Sequence, residues 1–262
     1  PPNGQPLKPK QPPETSHLVS ASPTTDQLWL LEQDPARPGR FLTGRSFATP
    51  RAPYEAAVAD LDGDGRNDLL LASASLDPAR AGVYLALQDA VVEGTFRPAV
   101  RLDAGQKPAH VVPADLDGDG RMDLVVTNGA IDGKGSGVTV LLADAARPGQ
   151  FLPPIFHAMS DAGRSSCVAD FNADGRPDVA VAAAVTRLVN DLQSVVVLYL
   201  QDPTRPGRFI RAGRYASGDQ VTYLAAADLD GDGAVDVVTD EGPEVLYNDP
   251  ARPGTLAASR PL

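Results

Sequence analysis

The chain has 262 residues, enough for one large domain or two small ones and for a substantial buried core. Its 34 acidic residues outnumber the 23 basic ones, and the net charge of −11 argues against nucleic acid and anionic membranes as partners. The single cysteine, Cys167, excludes an intramolecular disulfide framework and a cysteine-based zinc site, and no apolar run of roughly 18 residues suggests a membrane-spanning helix.

In chain order, residues 1–16 are rich in Pro, Lys and Gln and read as a solvated, flexible leader. The remainder, 17–262, reads as one domain made of repeats. Short apolar runs at His17–Ser22, Gln27–Glu32 and Phe41–Phe47 come first. Then Val58-Ala-Asp-Leu-Asp-Gly-Asp-Gly-Arg-Asn-Asp68 is echoed at 113–123, 168–178 and 226–236, the first aspartates being Asp60, Asp115, Asp170 and Asp228, spaced by 55, 55 and 58 residues. A second element, Asp34-Pro-Ala-Arg-Pro-Gly39, recurs at 144–149, 202–207 and 249–254; at 89–94 only its first aspartate and last glycine remain.

Each unit holds four apolar runs of strand length between Gly, Pro and Asp clusters, with no sustained helical period. The expected fold is therefore all-β: a β-propeller of four-stranded antiparallel blades, about five in number. The first blade lacks its first strand, and its three runs align with strands two, three and four. Strands buried on both faces account for the continuous, rather than alternating, apolar runs.

The Asp loops place carboxylates at positions 1, 3, 5 and 9, with glycine at position 6 where the chain must turn sharply. This pattern suits a hard cation that needs six to eight oxygens. Asp-Gly runs also occur as plain hydrophilic turns. Four in register, each gathering three or four like charges, point instead to metal. No bidentate glutamate stands at position 12 and the flanks are strands, so these are not EF-hands.

Strand, Asp-x-Asp-x-Asp-Gly-x-x-Asp, apolar strand and a Gly-x-Phe hairpin together resemble the FG-GAP/VCBS repeats of integrin alpha-subunit propellers and bacterial secreted proteins, over residues 17–256. The chain has no Phe-Gly or Gly-Ala-Pro signature, which places the resemblance nearer the VCBS branch. The resemblance implies about four Ca²⁺ ions. Their ligands would be Asp60, Asp62, Asp64, the Arg66 carbonyl and Asp68; Asp115, Asp117, Asp119, the Arg121 carbonyl and Asp123; Asp170, Asn172, Asp174, the Arg176 carbonyl and Asp178; and Asp228, Asp230, Asp232, the Ala234 carbonyl and Asp236. Asn172 removes one charge from the third loop, which is expected to bind most weakly.

Trp29 and Cys167 read as core residues, and no catalytic constellation appears. The arginines of the Arg-Pro-Gly turns either form a ring for an anionic ligand or pair with neighbouring acids. The expected function is a non-catalytic binding or adhesion module for protein or glycan, secreted, cell-surface or periplasmic, and monomeric; the alternative is a propeller-based polysaccharide lyase or hydrolase. In an up-down meander the Asp loops and Arg-Pro-Gly turns share one side. The ligand is expected on the other, near Tyr54, Glu55, His110, Arg164, Ser165, Thr222 and Tyr223 at the inner strand ends.

Overall fold

Every regular element among the described residues is a β-strand paired antiparallel to its neighbour. The computed structural model describes residues 17–261 apart from 23–24, 35, 38, 50–52, 74, 76, 78–79, 93, 130–134, 188–190, 219, 241–243 and 258–259. The expected leader at 1–16 lies outside the described residues.

The first sheet has three strands, β1 (His17–Ser22), β2 (Gln27–Glu32) and β3 (Arg45–Ala48). Four sheets of four strands follow: β4 (Pro53–Ala59), β5 (Asp68–Ser73), β6 (Gly82–Ala86) and β7 (Val100–Leu102); β8 (Pro108–Ala114), β9 (Asp123–Asn128), β10 (Gly137–Leu141) and β11 (Ile155–Ala158); β12 (Ala162–Ala169), β13 (Asp178–Arg187), β14 (Asp191–Gln201) and β15 (Phe209–Ser217); β16 (Leu224–Ala227), β17 (Asp236–Thr239), β18 (Glu244–Leu246) and β19 (Arg260–Pro261). Within each sheet the strands pair in sequence order, and the first sheet matches strands two to four of the others.

Consecutive sheets pack face to face, with β1 against β4, β4 against β8, β8 against β12 and β12 against β16. Four apolar cores result. One joins Leu28 to Leu69 and Leu71; the next joins Leu70 and Leu85 to Val111 and Val126. A third joins Val125 and Val140 to Val181 and Val197, and the last joins Val196 and Leu198 to Val237 and Leu246. Neighbours along one strand thus serve different cores: Leu69 and Leu71 face back, Leu70 forward. Every residue of β5 and β9 is buried, which explains the continuous apolar runs.

Strand four departs from its expected span in three sheets. Phe41, Phe96 and Phe151 each make one isolated bridge, to Gln33, Gln88 and Ala143, and regular pairing resumes only at β3, β7 and β11. Pro98, Pro153 and Pro154 fall in two of these gaps and cannot donate to a ladder, whereas the gap at residues 42–44 holds no proline. The equivalent in the fourth sheet runs unbroken as β15.

In the Asp loops, Gly63, Gly118 and Gly231 have φ of 76°, 77° and 79°, and the third loop puts Ala173 there at φ 56°. An L side chain is strained in this left-handed region. Replacing Ala173 by Gly is expected to stabilise the protein by about 1 kcal/mol, read as a higher urea midpoint with unchanged slope.

Candidate metal loops and inner-strand cluster

The loop between strands one and two is built round its first aspartate. Asp60 Oδ1 accepts hydrogen bonds from the N–H groups of Gly63 (2.8 Å) and Asp64 (3.1 Å), and Oδ2 from Gly65 (2.8 Å). Asp115 does the same for Gly118, Asp119 and Gly120. Folding the chain round one carboxylate brings others close. Carboxylate oxygens of Asp60, Asp62 and Asp68 lie within 4.8 Å of one another, as do those of Asp115, Asp117 and Asp123 and of Asp228, Asp230 and Asp236. These are groups that could hold a divalent cation. Around Asp170 no such trio forms among the described residues, because Asn172 stands at position 3 and donates from Nδ2 to Asp174 (2.8 Å).

The position-5 aspartates lie outside these trios. Asp64, Asp119 and Asp174 each pair with the guanidinium two residues on, Arg66, Arg121 and Arg176. Ala234 leaves no such partner for Asp232.

The position-9 aspartates have a second task that spacing alone did not reveal. Asp68, Asp123, Asp178 and Asp236 are almost fully buried. Asp123 accepts from Leu116 N (2.8 Å) in its own loop and from Ala143 N (2.7 Å) at the turn between strands three and four. Asp68 ties Leu61 to Gln88, Asp178 ties Phe171 to Gln201, and Asp236 ties Leu229 to Asn248. Desolvation pushes the Asp123 and Asp178 carboxyls up to about 6 against the opposing pull of these N–H donors, and it raises Asp68 likewise.

The Asp-x-x-Arg-Pro-Gly turns lie on the same side as the loops. In each, the guanidinium returns to the turn's own aspartate: Arg37 to Asp34, Arg147 to Asp144, Arg205 to Asp202 and Arg252 to Asp249. Of the two expectations for these arginines, the structure supports pairing. The turns at Gly149, Gly207 and Gly254 also lean on the preceding sheet; a Cβ at Gly149 would stand 3.0 Å from Leu87 and 3.5 Å from Asp62, whereas one at Gly39 would meet nothing within 4 Å.

At the opposite ends of the inner strands, the residues five before each first aspartate are Glu55, His110, Ser165 and Tyr223. Glu55 Oε1 lies 2.9 Å from His110 Nε2, and its other oxygen accepts from Val111 N (3.2 Å). His110 Nδ1 accepts from Ser166 N at 3.4 Å, an assignment that leaves the ring proton on Nε2 for Glu55. The His110 and Tyr223 rings meet edge to face with centroids 6.4 Å apart, so side chains from the third and fifth sheets converge. The N–H groups of Thr222 and Tyr223 both donate to Asp240 Oδ1 (2.8 and 3.0 Å).

Register shifts fall at Pro53/Glu55, Pro108/His110 and Gly163/Ser165, so Arg164 occupies a bulge and is half-buried. Tyr54 occupies the first of these bulges, and its side chain lies outside the described residues. Ser165 is fully buried and its hydroxyl has no hydrogen-bond partner among the described residues; the same holds for Thr127, cross-strand from His110. Sequence reasoning missed Ser166, Thr127 and Asp240, which come from neighbouring strands and carry no motif. Cys167 is no candidate nucleophile, since burial pushes its thiol up to about 12.

A family model described as FG-GAP-like repeat matches residues 60–126 and 170–239, just over half the chain. The chain belongs to the FG-GAP-like repeat family. Its matched segments begin at Asp60 and Asp170 and carry loop and second strand twice. Among curated proteins it is similar to human integrin alpha-IIb, 32% identical over 179 residues, covering 58% of this chain and 17% of that protein. Mouse integrin alpha-IIb is 30% identical over 225 residues, covering 74% of this chain and 21% of that protein. This FG-GAP chain therefore spans about a fifth of those relatives. The solved structure of the V. cholerae biofilm matrix protein Bap1 aligns with TM-score 0.42 and 16% identity, over 92% of this chain and 39% of that one.

Two outcomes are expected of the FG-GAP loops. Asp123→Ala leaves two buried N–H groups unpaired and should cost about 2–4 kcal/mol even in calcium-free buffer, measured by urea unfolding, whereas Asp123→Asn, which keeps one acceptor, should cost less. The pH dependence has a definite sign. A carboxyl whose folded pKa is raised favours the fold while protonated; that contribution is full below 3.8 and is lost as pH rises through about 6. Metal-free protein should therefore weaken from pH 4 to pH 7 in this window, and added calcium should raise the melting temperature more at pH 7 than at pH 5.

Proposed function

We propose that this chain is a calcium-binding β-propeller module that captures a protein or glycan outside the cytoplasm without catalysing a reaction. Its five sheets are the blades, and the Asp loops hold about four Ca²⁺ ions. The observation that carries the reading is the threefold recurrence of a carboxylate trio at equivalent loop positions, a costly arrangement for like charges unless a cation neutralises them. The chemistry is that of a hard, oxygen-coordinated ion, and the exposed loops suit the 10⁻⁴–10⁻³ M range typical of extracellular calcium modules. The absence of Phe-Gly and Gly-Ala-Pro signatures favours the VCBS branch of the family.

The loops repeat with little variation and belong to the framework, whereas the opposite ends of the inner strands differ from sheet to sheet. That variable side carries Glu55, His110, Arg164, Ser165, Thr222 and Tyr223, with Tyr54 beside them in sequence. Its acid, base, hydroxyl and aromatic groups are those that recognise a polar ligand such as a sugar or a peptide side chain.

Calorimetric titration should show three calcium sites of similar affinity and a weaker fourth, with the weak site gaining affinity in Asn172→Asp. An unchanged melting temperature after exhaustive chelation would defeat the calcium reading, and four equal sites would defeat the ranking that makes the third loop weakest. Combined alanine substitution of Tyr54, His110, Arg164 and Tyr223 should abolish capture on a glycan array or protein panel while leaving calcium titration intact. Full capture by that variant would remove the ligand assignment.

A further inference from the structure

Between strands three and four of the second sheet and the strand 3–4 turn of the third lies a cavity of about 820 Å³. Leu85, Leu87 and Leu141 floor it, with Val100 and Leu102 on one wall and Phe151 on the other. Both sheets are covered on either side by another sheet, so the space is not an unstacked face.

The next junction along the chain shows why this one stays open. Between the third and fourth sheets the same space is filled: a Cβ at Gly207 would meet Ile155 and Val140 at 3.2 Å. His157 Nε2 lies 3.0 Å from Gly207 O, and its ring meets Phe209 edge to face with centroids 5.6 Å apart. In the second sheet Val100 pairs with Leu85 as Ile155 pairs with Val140, so Val100 and Leu102 stand where Ile155 and His157 do. Val100 is 63% exposed, and the nearest atoms to a Cβ at Gly149 belong to Leu87 and Asp62 instead. A shorter side chain and one that cannot hydrogen-bond thus leave the junction unfilled.

The charges at this opening run against those of the whole chain. Arg97, Arg101 and Arg147 line it beside one acid, Asp103, although the net charge is −11. Arg101 is held by Ala81 O, which accepts from Nε (3.1 Å) and Nη2 (2.9 Å), and Arg147 by Asp144. Arg97 makes no side-chain hydrogen bond or ion pair among the described residues and acts on Asp89 only through space.

We propose that this cavity binds a small organic anion, an apolar aromatic or aliphatic body carrying one carboxylate or sulfonate. Its volume falls in the range of about 300–1,000 Å³ usual for small-molecule sites, and an apolar lining with a few charged groups is their usual chemistry. The body occupies the leucine floor, and the anion meets the Arg97 guanidinium in the positive field of Arg101 and Arg147. An added peptide strand fits less well, because Pro98, Pro148, Pro153 and Pro154 line the walls and offer no N–H donors. The site is built on strands three and four, whereas the inner-strand cluster is built on strand one. It needs neither that cluster nor bound calcium.

Fluorescence titration of the whole chain with anilinonaphthalene sulfonate, an aromatic body bearing one sulfonate, tests this. Phenylnaphthylamine, the same body without the charge, is the comparison. The sulfonate should bind at one saturable site per chain, about tenfold more tightly than the neutral dye. Arg97→Gln should abolish that difference by weakening the sulfonate alone, and Val100→Glu should weaken both dyes. Both side chains are exposed, so both variants should keep the wild-type melt and calcium titration. Equal affinity for the two dyes would mark an apolar site indifferent to charge and overturn the proposal. Undiminished sulfonate binding in either variant would overturn it too. So would the lack of any saturable binding, whether sedimentation velocity shows a monomer or a dimer whose second copy covers the cavity.

Discussion

A single buried carboxylate, repeated four times, holds each four-stranded sheet in register at one end. Asp68, Asp123, Asp178 and Asp236 each accept one N–H from the loop joining strands one and two and one from the start of the turn joining strands three and four. Backbone donors buried at both places would otherwise be unpaired, and a carboxylate has enough acceptor sites for both. The same side chain stands at the edge of the acidic trio in three of the loops. Framework and cation chemistry therefore share one atom group: whatever neutralises the trio removes the like-charge repulsion on the clamp, while its desolvation remains.

From this clamp the rest of the arrangement follows. With strands one to four locked at the loop end, each sheet presents two apolar faces, and the only way to bury both is to stack on sheets of the same kind. The turn glycines permit the close approach this stacking needs, since a side chain at Gly149 or Gly254 would press on Leu87 or Leu200 of the sheet before. The opposite ends of the strands are released from this framework duty. There the bulges of β4, β8 and β12 re-aim the chain, and Glu55, His110, Ser166 and Tyr223, from four different sheets, come together.

The arginines show how a motif divides its roles. Those of the Asp-x-x-Arg-Pro-Gly turns close their own turns, and those at position 7 of the Asp loops pair with the position-5 carboxylate. Both uses are local, spanning two or three residues. The protein's net negative charge is thus concentrated at loop positions 1, 3 and 9, where a cation has most to gain.

The sequence by itself determined the repeat, the all-β class, the three-stranded first unit and the acidic loops, because these depend on period, turn chemistry and the apolar runs of strands covered on both faces. It also placed acidic groups at positions 1, 3, 5 and 9 of the loops, of which the structure brings 1, 3 and 9 together in three loops. Tertiary structure decided the rest. It placed Trp29 and Leu229 in solvent, although the local sequence of each matches buried counterparts, because burial depends on whether another sheet lies above. It drew the position-5 aspartates onto arginines and gave the position-9 aspartates a clamp across 12–23 residues. It also joined His110 to Glu55 and Ser166, each 56 residues or nearly so away in the chain. Contacts of that range carry no local signature, since they arise only when whole sheets have packed.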